Sequence, residues 1–192
     1  MNRIQDSKDF QEIIKNLNKK DYSKALEKIK IISEKYQSEN IILKLYAIIY
    51  FNLKEWNNAI NYYKKCLNFE IEKYKLYTNI GVAYFKLGKI NQSIVSFKKS
   101  IENNPNFGLA YNNLGISYLE LSMFEEAKNH FIHALRLDNN DYQAQINLIN
   151  TFNFKKPKND YQHPLIKINN AINNLTKENK ILSKDNNNIK IL

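Results

Sequence analysis

Apolar residues recur along this chain at intervals of three and four, in short runs separated by polar breaks. Tyr111, Leu114, Gly115 and Tyr118 share one stripe. After Leu121-Ser122-Met123, the residues Ala127, Phe131 and Ala134 form another. Spacing of this kind places side chains on one face of an α-helix. The stretch therefore predicts two short amphipathic helices folded back on each other as an antiparallel pair. Gly115 and Ala127 are small where the two helix backbones are expected to come closest.

The pattern repeats. Shifted back by 34 residues it reads Tyr77-x2-Ile80-Gly81-x2-Tyr84, then Leu87-Gly88, Ser93-x3-Phe97, Ser100 and Pro105. A further shift of 34 gives Leu43-x2-Tyr46-Ala47-x2-Tyr50, then Trp56, Ala59-x3-Tyr63 and Cys66. Small residues thus fall at Ala47, Gly81 and Gly115 in the first helices and at Ala59, Ser93 and Ala127 in the second. In period and in residue types at these offsets, the chain resembles the tetratricopeptide repeat family. The closing proline of the family motif is present at Pro105, whereas Ile71 and Asn139 replace it in the flanking repeats. The resemblance implies an all-α fold, a right-handed superhelical stack of helix–turn–helix hairpins.

The pattern divides the chain into repeats at 40–73, 74–107 and 108–141, preceded by a degenerate repeat at 1–39. There Tyr22, Ala25 and Ile29 keep the second-helix offsets, but the first helix lacks the small residue and the tyrosine. Residues 142–154 predict a capping half-repeat helix, with Ala144, Leu148, Ile149 and Phe152 as its apolar positions. The remaining 155–192 reads as a basic linker and an amphipathic helix whose stripe is Leu165, Ile168, Ile172, Leu175 and Leu182. An apolar stripe is rarely left in water. Folding back as a cap is the first expectation, and homodimerisation through this helix, with Asn179 at a seam position, is the second. One solenoid-like domain is expected.

Charge changes this picture little. The net charge of +10 is segmental: 74–107 carries an excess of basic residues, while 108–154 is acidic. The crowding of Lys, Asn, Ile and Tyr also fits an AT-rich coding sequence. Lys30, Lys64 and Lys98 share one offset, and Lys65 and Lys99 the next, which predicts a solvated basic stripe on the convex face. No nucleic-acid partner is expected, because the tyrosines mostly fall at core offsets and are not free to stack on bases. The opening MNRIQDSKDF holds two acids and no apolar run, so a secretory leader is not expected. Ile41 to Leu53 is too short, and interrupted by Lys44, to span a bilayer. The single cysteine, Cys66, suits a reducing compartment as a buried structural thiol, so a cytoplasmic location is expected.

No constellation for catalysis or for a cofactor stands out, and the chain is not expected to be an enzyme. Glu126, His130 and His133 share one helix face, but no fourth metal ligand accompanies them, so an outward polar face is expected.

The resemblance implies a binding groove lined by the first helices. On the family's geometry the lining falls on Lys44, Leu45, Ile48 and Phe51, then Thr78, Asn79, Val82 and Phe85. It continues with Asn112, Asn113, Ile116, Leu119 and Asn147. Asn79, Asn113 and Asn147 are spaced 34 apart, which implies a ladder of carboxamides able to donate to and accept from a peptide backbone. It is similar to the asparagine ladder in the repeats of O-linked N-acetylglucosamine transferase. Helix–helix hydrogen bonding is the other reading of these asparagines. The family's clamp for a carboxy-terminal carboxylate is matched only at Lys44 and Asn79. Ile48, Leu109 and Asn113 stand where the clamp needs Asn, Lys and Arg, so co-chaperone activity is not expected. The implied function is a protein–protein interaction scaffold or adaptor that binds an extended peptide or helix of another protein. The competing reading is an accessory, substrate-recognising arm of a transferase or other enzyme whose catalytic domain lies elsewhere.

Overall fold

The computed structural model describes residues 7–36 and 40–154. Among the described residues there are nine α-helices and no strand. They are α1 (Lys8–Asn18), α2 (Tyr22–Lys35), α3 (Asn40–Asn52), α4 (Trp56–Cys66), α5 (Lys73–Lys86), α6 (Ile90–Asn103), α7 (Gly108–Glu120), α8 (Phe124–Leu137) and α9 (Tyr142–Phe154). The linker and amphipathic helix expected over 155–192 lie outside the described residues. None of the described helices is long and apolar enough to cross a membrane.

The helices group into two compact units where the sequence suggested one array: α1–α6 in the first, α7–α9 in the second. The division falls beside Pro105, which cannot donate a backbone hydrogen bond to continue a helix. Within the first unit α1 pairs with α2, α3 with α4 and α5 with α6, while α2 also packs on α3 and α4 on α5. In the second, α7 pairs with α8, and α9 packs against α8 and α7.

Every hairpin turns in the same way. Lys20, Lys54, Gly88 and Ser122 have φ of 59°, 62°, 70° and 58°. These four positions are 34 residues apart, so the degenerate first repeat shares the turn of the others. In each, the left-handed residue donates its N–H three residues back and the next residue donates five back. Lys54 donates to the Phe51 carbonyl at 3.1 Å and Glu55 to that of Tyr50 at 2.9 Å. Ser122 donates to Leu119 at 2.8 Å and Met123 to Tyr118 at 2.9 Å. This Schellman arrangement satisfies carbonyls that the helix end would otherwise orphan. Some helix starts are capped by a short polar side chain. Ser7 Oγ accepts from the Phe10 N–H at 3.2 Å, and Asp141 Oδ1 accepts from Gln143 and Ala144 at 3.0 and 3.1 Å.

The small residues have a definite job. A β-carbon on Gly81 would meet the Phe97 ring at 2.5 Å, and one on Gly115 would meet Phe131 at 2.6 Å. The space over each glycine is filled by an aromatic ring of the partner helix, rather than by a neighbouring backbone as the sequence suggested. Ala47 and Tyr63 hold the same offsets, and both are buried in one core cluster. At the first repeat those offsets carry Ile13 and Ile29, each with 0% exposure. Two mid-sized side chains there replace one small and one large, a volume-conserving exchange that a core tolerates.

α3 is apolar nearly all round because it is packed on both sides. Ile42, Leu45, Tyr46 and Ile49 join the cluster with α1 and α2, and Ala47 joins the cluster with α4 and α5. A helix sandwiched in this way loses its polar face. Leu45, expected in the groove, is therefore a core residue.

Candidate binding groove

α3 presents Lys44 and Ile48 one turn apart, and α5 presents Lys75, Leu76 and Asn79. Together with Tyr63, Cys66, Glu70 and Glu72 they line a cleft of about 160 Å³ within the first unit. Three of the residues expected in the groove, Lys44, Ile48 and Asn79, thus converge on one cleft. Ile48 is 41% exposed and so offers apolar surface at the cleft.

Two ion pairs flank this cleft. Lys44 Nζ lies 2.6 Å from Glu70 Oε2, and Lys75 Nζ lies 2.6 Å from Glu72 Oε2. Glu72 also accepts from the Tyr74 hydroxyl at 2.9 Å. The hydrogen bond from Lys75, then that from Tyr74, holds the Glu72 carboxyl below the usual range. Such exposed pairs add little to stability, but they cancel the charge that a carboxylate ligand would need. At the floor, burial foremost pushes the Cys66 thiol up to about 11, with Glu70 adding and Lys44 opposing. Burial also raises the Tyr63 phenol, against a hydrogen bond from the Asn79 side chain.

Other expected groove residues are placed differently. Phe51 is half-buried and edge-on to Trp56 and Tyr63, with ring centroids 5.4 and 6.0 Å apart, so it belongs to the core of its hairpin. Thr78 is buried. Its hydroxyl pairs with Ser100 Oγ at 2.8 Å, and Ser100 in turn donates to the Tyr74 carbonyl at 2.8 Å. Val82 and Phe85 are half-buried on α5, and Asn113, Ile116 and Leu119 are half-buried on α7. Asn112 is buried at 4% exposure, and its Oδ1 accepts a 2.9 Å hydrogen bond from Asn147 Nδ2. Asn79 and Asn147 each bond to a side chain of a neighbouring helix.

The histidines correct another expectation. Instead of an outward polar face they form stacks against α7. The His133 ring lies 4.0 Å from Tyr111, and the His130 ring lies 5.3 Å from Tyr118 and nearly parallel to it. Burial, then the Arg136 charge, lowers the His133 pKa. Among the described residues no three His, Cys, Asp or Glu side chains converge as a metal ion would require. These stacks were hidden from sequence reasoning, because Tyr111 and His133 are on different helices and only the hairpin brings them together.

Three models of the tetratricopeptide repeat match the chain, at residues 45–70, 74–107 and 96–129. No curated protein matches it. Among solved structures, the first tetratricopeptide domain of Spaghetti (RPAP3), bound to the HSP90 peptide SRMEEVD, is 26% identical. That match covers 60% of this chain and 91% of the other, with a TM-score of 0.56. The crystal structure of MamA is 18% identical, covering 86% of this chain and 95% of the other, with a TM-score of 0.68. A domain of yeast Sti1, in a complex with an Hsp70 peptide, is 22% identical, covering 60% and 98%, with a TM-score of 0.56. The last two likenesses establish the fold alone.

Proposed function

Since the chain is a tetratricopeptide repeat protein, we propose that it is a scaffold holding an extended segment of a partner protein against its first helices. The observation that carries this reading is the cleft between α3 and α5. There the exposed Ile48 sits beside the Asn79 carboxamide and the Lys44–Glu70 pair. An apolar anchor on Ile48 would supply affinity, and the polar rim would fix the peptide's direction. In the second unit the corresponding offsets carry Asn113, Ile116, Leu119 and Asn147, which we take as that unit's own contact residues.

The ligand is a peptide of low net charge with an apolar anchor. The Spaghetti domain carries an acidic peptide, but the only clamp-type lysine matched here, Lys44, already spends its charge on Glu70 at 2.6 Å. Partner capture followed by titration tests the reading. Ile48→Asp is expected to weaken the captured partner's binding at least tenfold while leaving the circular dichroism spectrum unchanged. Unaltered affinity in that variant, or submicromolar binding of SRMEEVD that Ile48→Asp abolishes, would overturn it.

A further inference from the structure

A larger cleft, of about 470 Å³, opens on a different face of α5, between α4 and α6. Its floor comes from α5, where Tyr77, Ile80 and Tyr84 are spaced by three and four and so share one face. Leu67, just past the end of α4, and Val95 of α6 extend the apolar lining, and Val95 is 54% exposed. Two cations stand on opposite walls: Lys64 Nζ lies 5.7 Å from the Tyr84 ring centroid, and Lys99 Nζ lies 5.7 Å from that of Tyr77. No acidic side chain lines the cleft. The basic stripe expected to be merely solvated is therefore, at these two positions, held over aromatic rings beside an apolar cavity.

We propose that this cleft is a second binding site, distinct from that at Ile48, and that it takes a short acidic peptide segment. A large apolar side chain of the segment fills the space over Ile80 and against Val95, and flanking carboxylates meet Lys64 and Lys99. Charge complementarity selects the acidic peptide, because both walls are cationic and no lining acid neutralises them. The geometry disfavours single-stranded nucleic acid. That ligand needs open aromatic faces for its bases, whereas Tyr77 and Tyr84 are half-buried and each carries a lysine over its ring. The cleft is independent of the Lys44–Glu70 site, whose lining residues it does not share.

The test uses the full chain immobilised through an added tag. Three pools of heptapeptides are passed over it, each with a variable three-residue apolar core flanked on both sides by two Asp or Glu, by two Asn, or by two Lys. Fluorescein-labelled oligouridine forms a fourth arm. The acidic pool is expected to be retained at least tenfold over the neutral one, with retention falling as salt rises. Lys64→Gln with Lys99→Gln should abolish that preference, and Val95→Asp should reduce retention at least tenfold. Lys64 and Lys99 are exposed, so their replacement leaves the core intact. Ile48→Asp should leave retention of the acidic pool unchanged and lower only that of the neutral pool, which separates this site from the one proposed above. Equal retention of neutral and acidic pools by the Ile48→Asp variant, no retention of the acidic pool, oligouridine bound in preference to peptide, or full acidic-pool retention by the double variant would each overturn the proposal.

Discussion

The Phe131 ring occupies the space that a β-carbon on Gly115 would need, with its Cε1 2.6 Å from that position. Phe97 stands in the same relation to Gly81, at 2.5 Å. Each glycine is thus one half of a lock between the two helices of a hairpin. Gly115→Leu should destabilise by about 1–3 kcal/mol or more through overpacking. Gly115→Ala should cost less, because Ala47 and Tyr63 already share these offsets in a packed core. Adding Phe131→Leu to Gly115→Leu should recover part of the loss. Denaturant melts of the single and double variants measure this coupling, and strict additivity would contradict the lock.

Ser122 holds a φ of 58° without being a glycine. The left-handed region costs an ordinary residue about 1–2 kcal/mol, and Gly88 already avoids that cost at the matching turn. Ser122→Gly should therefore raise the melting temperature of the second unit by a few degrees, part of the gain being offset by greater unfolded-state entropy. A β-branched replacement, Ser122→Ile, should lower it. Calorimetry of both variants provides the check, and a change of the same sign in both would count against the turn geometry.

His133, stacked on Tyr111, should make stability depend on mildly acidic pH. Its folded pKa lies below the ordinary 6.5, so the unfolded chain takes up the proton first. The contribution of neutral His133 is complete above about pH 6.5 and is lost progressively as pH falls below that value. His133→Phe keeps an aromatic partner for Tyr111 and removes the titration. The drop in melting temperature between pH 7.5 and 5.5 should be smaller in this variant, and an identical drop would assign the dependence to other groups.

Asn147→Ala would strip the buried Asn112 Oδ1 of its donor. An unsatisfied buried acceptor costs about 1–3 kcal/mol, so this substitution should destabilise the second unit whether or not a partner is bound. Asn112→Ala combined with Asn147→Ala should cost less than the sum of the single changes. A double-mutant cycle followed by urea unfolding measures the difference.

The helix pairs were legible because they follow from residues along a single helix. Three- and four-residue spacing marked each face, and the recurrence of Ala47, Gly81 and Gly115 marked three of the four hairpins. What escaped depends on which helices meet. Leu45 reads as a groove residue until α1 and α2 cover it, and Asn112 does so until α9 brings Asn147 against it. The pairing of Lys44 with Glu70 joins residues far apart in sequence, and periodicity is blind to it. The Lys20, Lys54, Gly88 and Ser122 series was in plain view by spacing. With glycine at only one of its four members, composition gave no hint of a shared backbone conformation. The cleft over Tyr77 and Tyr84 exists only because α4 and α6 stand apart above α5.

The burial of Cys66 gives the molecule an internal clock. It is the only cysteine in the chain, it has no exposed surface, and its thiol is pushed up to about 11. At pH 8 the thiol of a closed molecule stays protonated, and it is out of reach of reagent. Alkylation of the folded chain must therefore wait for a local opening that uncovers the sulfur. Its rate under native conditions counts those openings, one labelled chain at a time. A ligand seated in the cleft that Cys66 helps to line would slow the count without touching the sulfur.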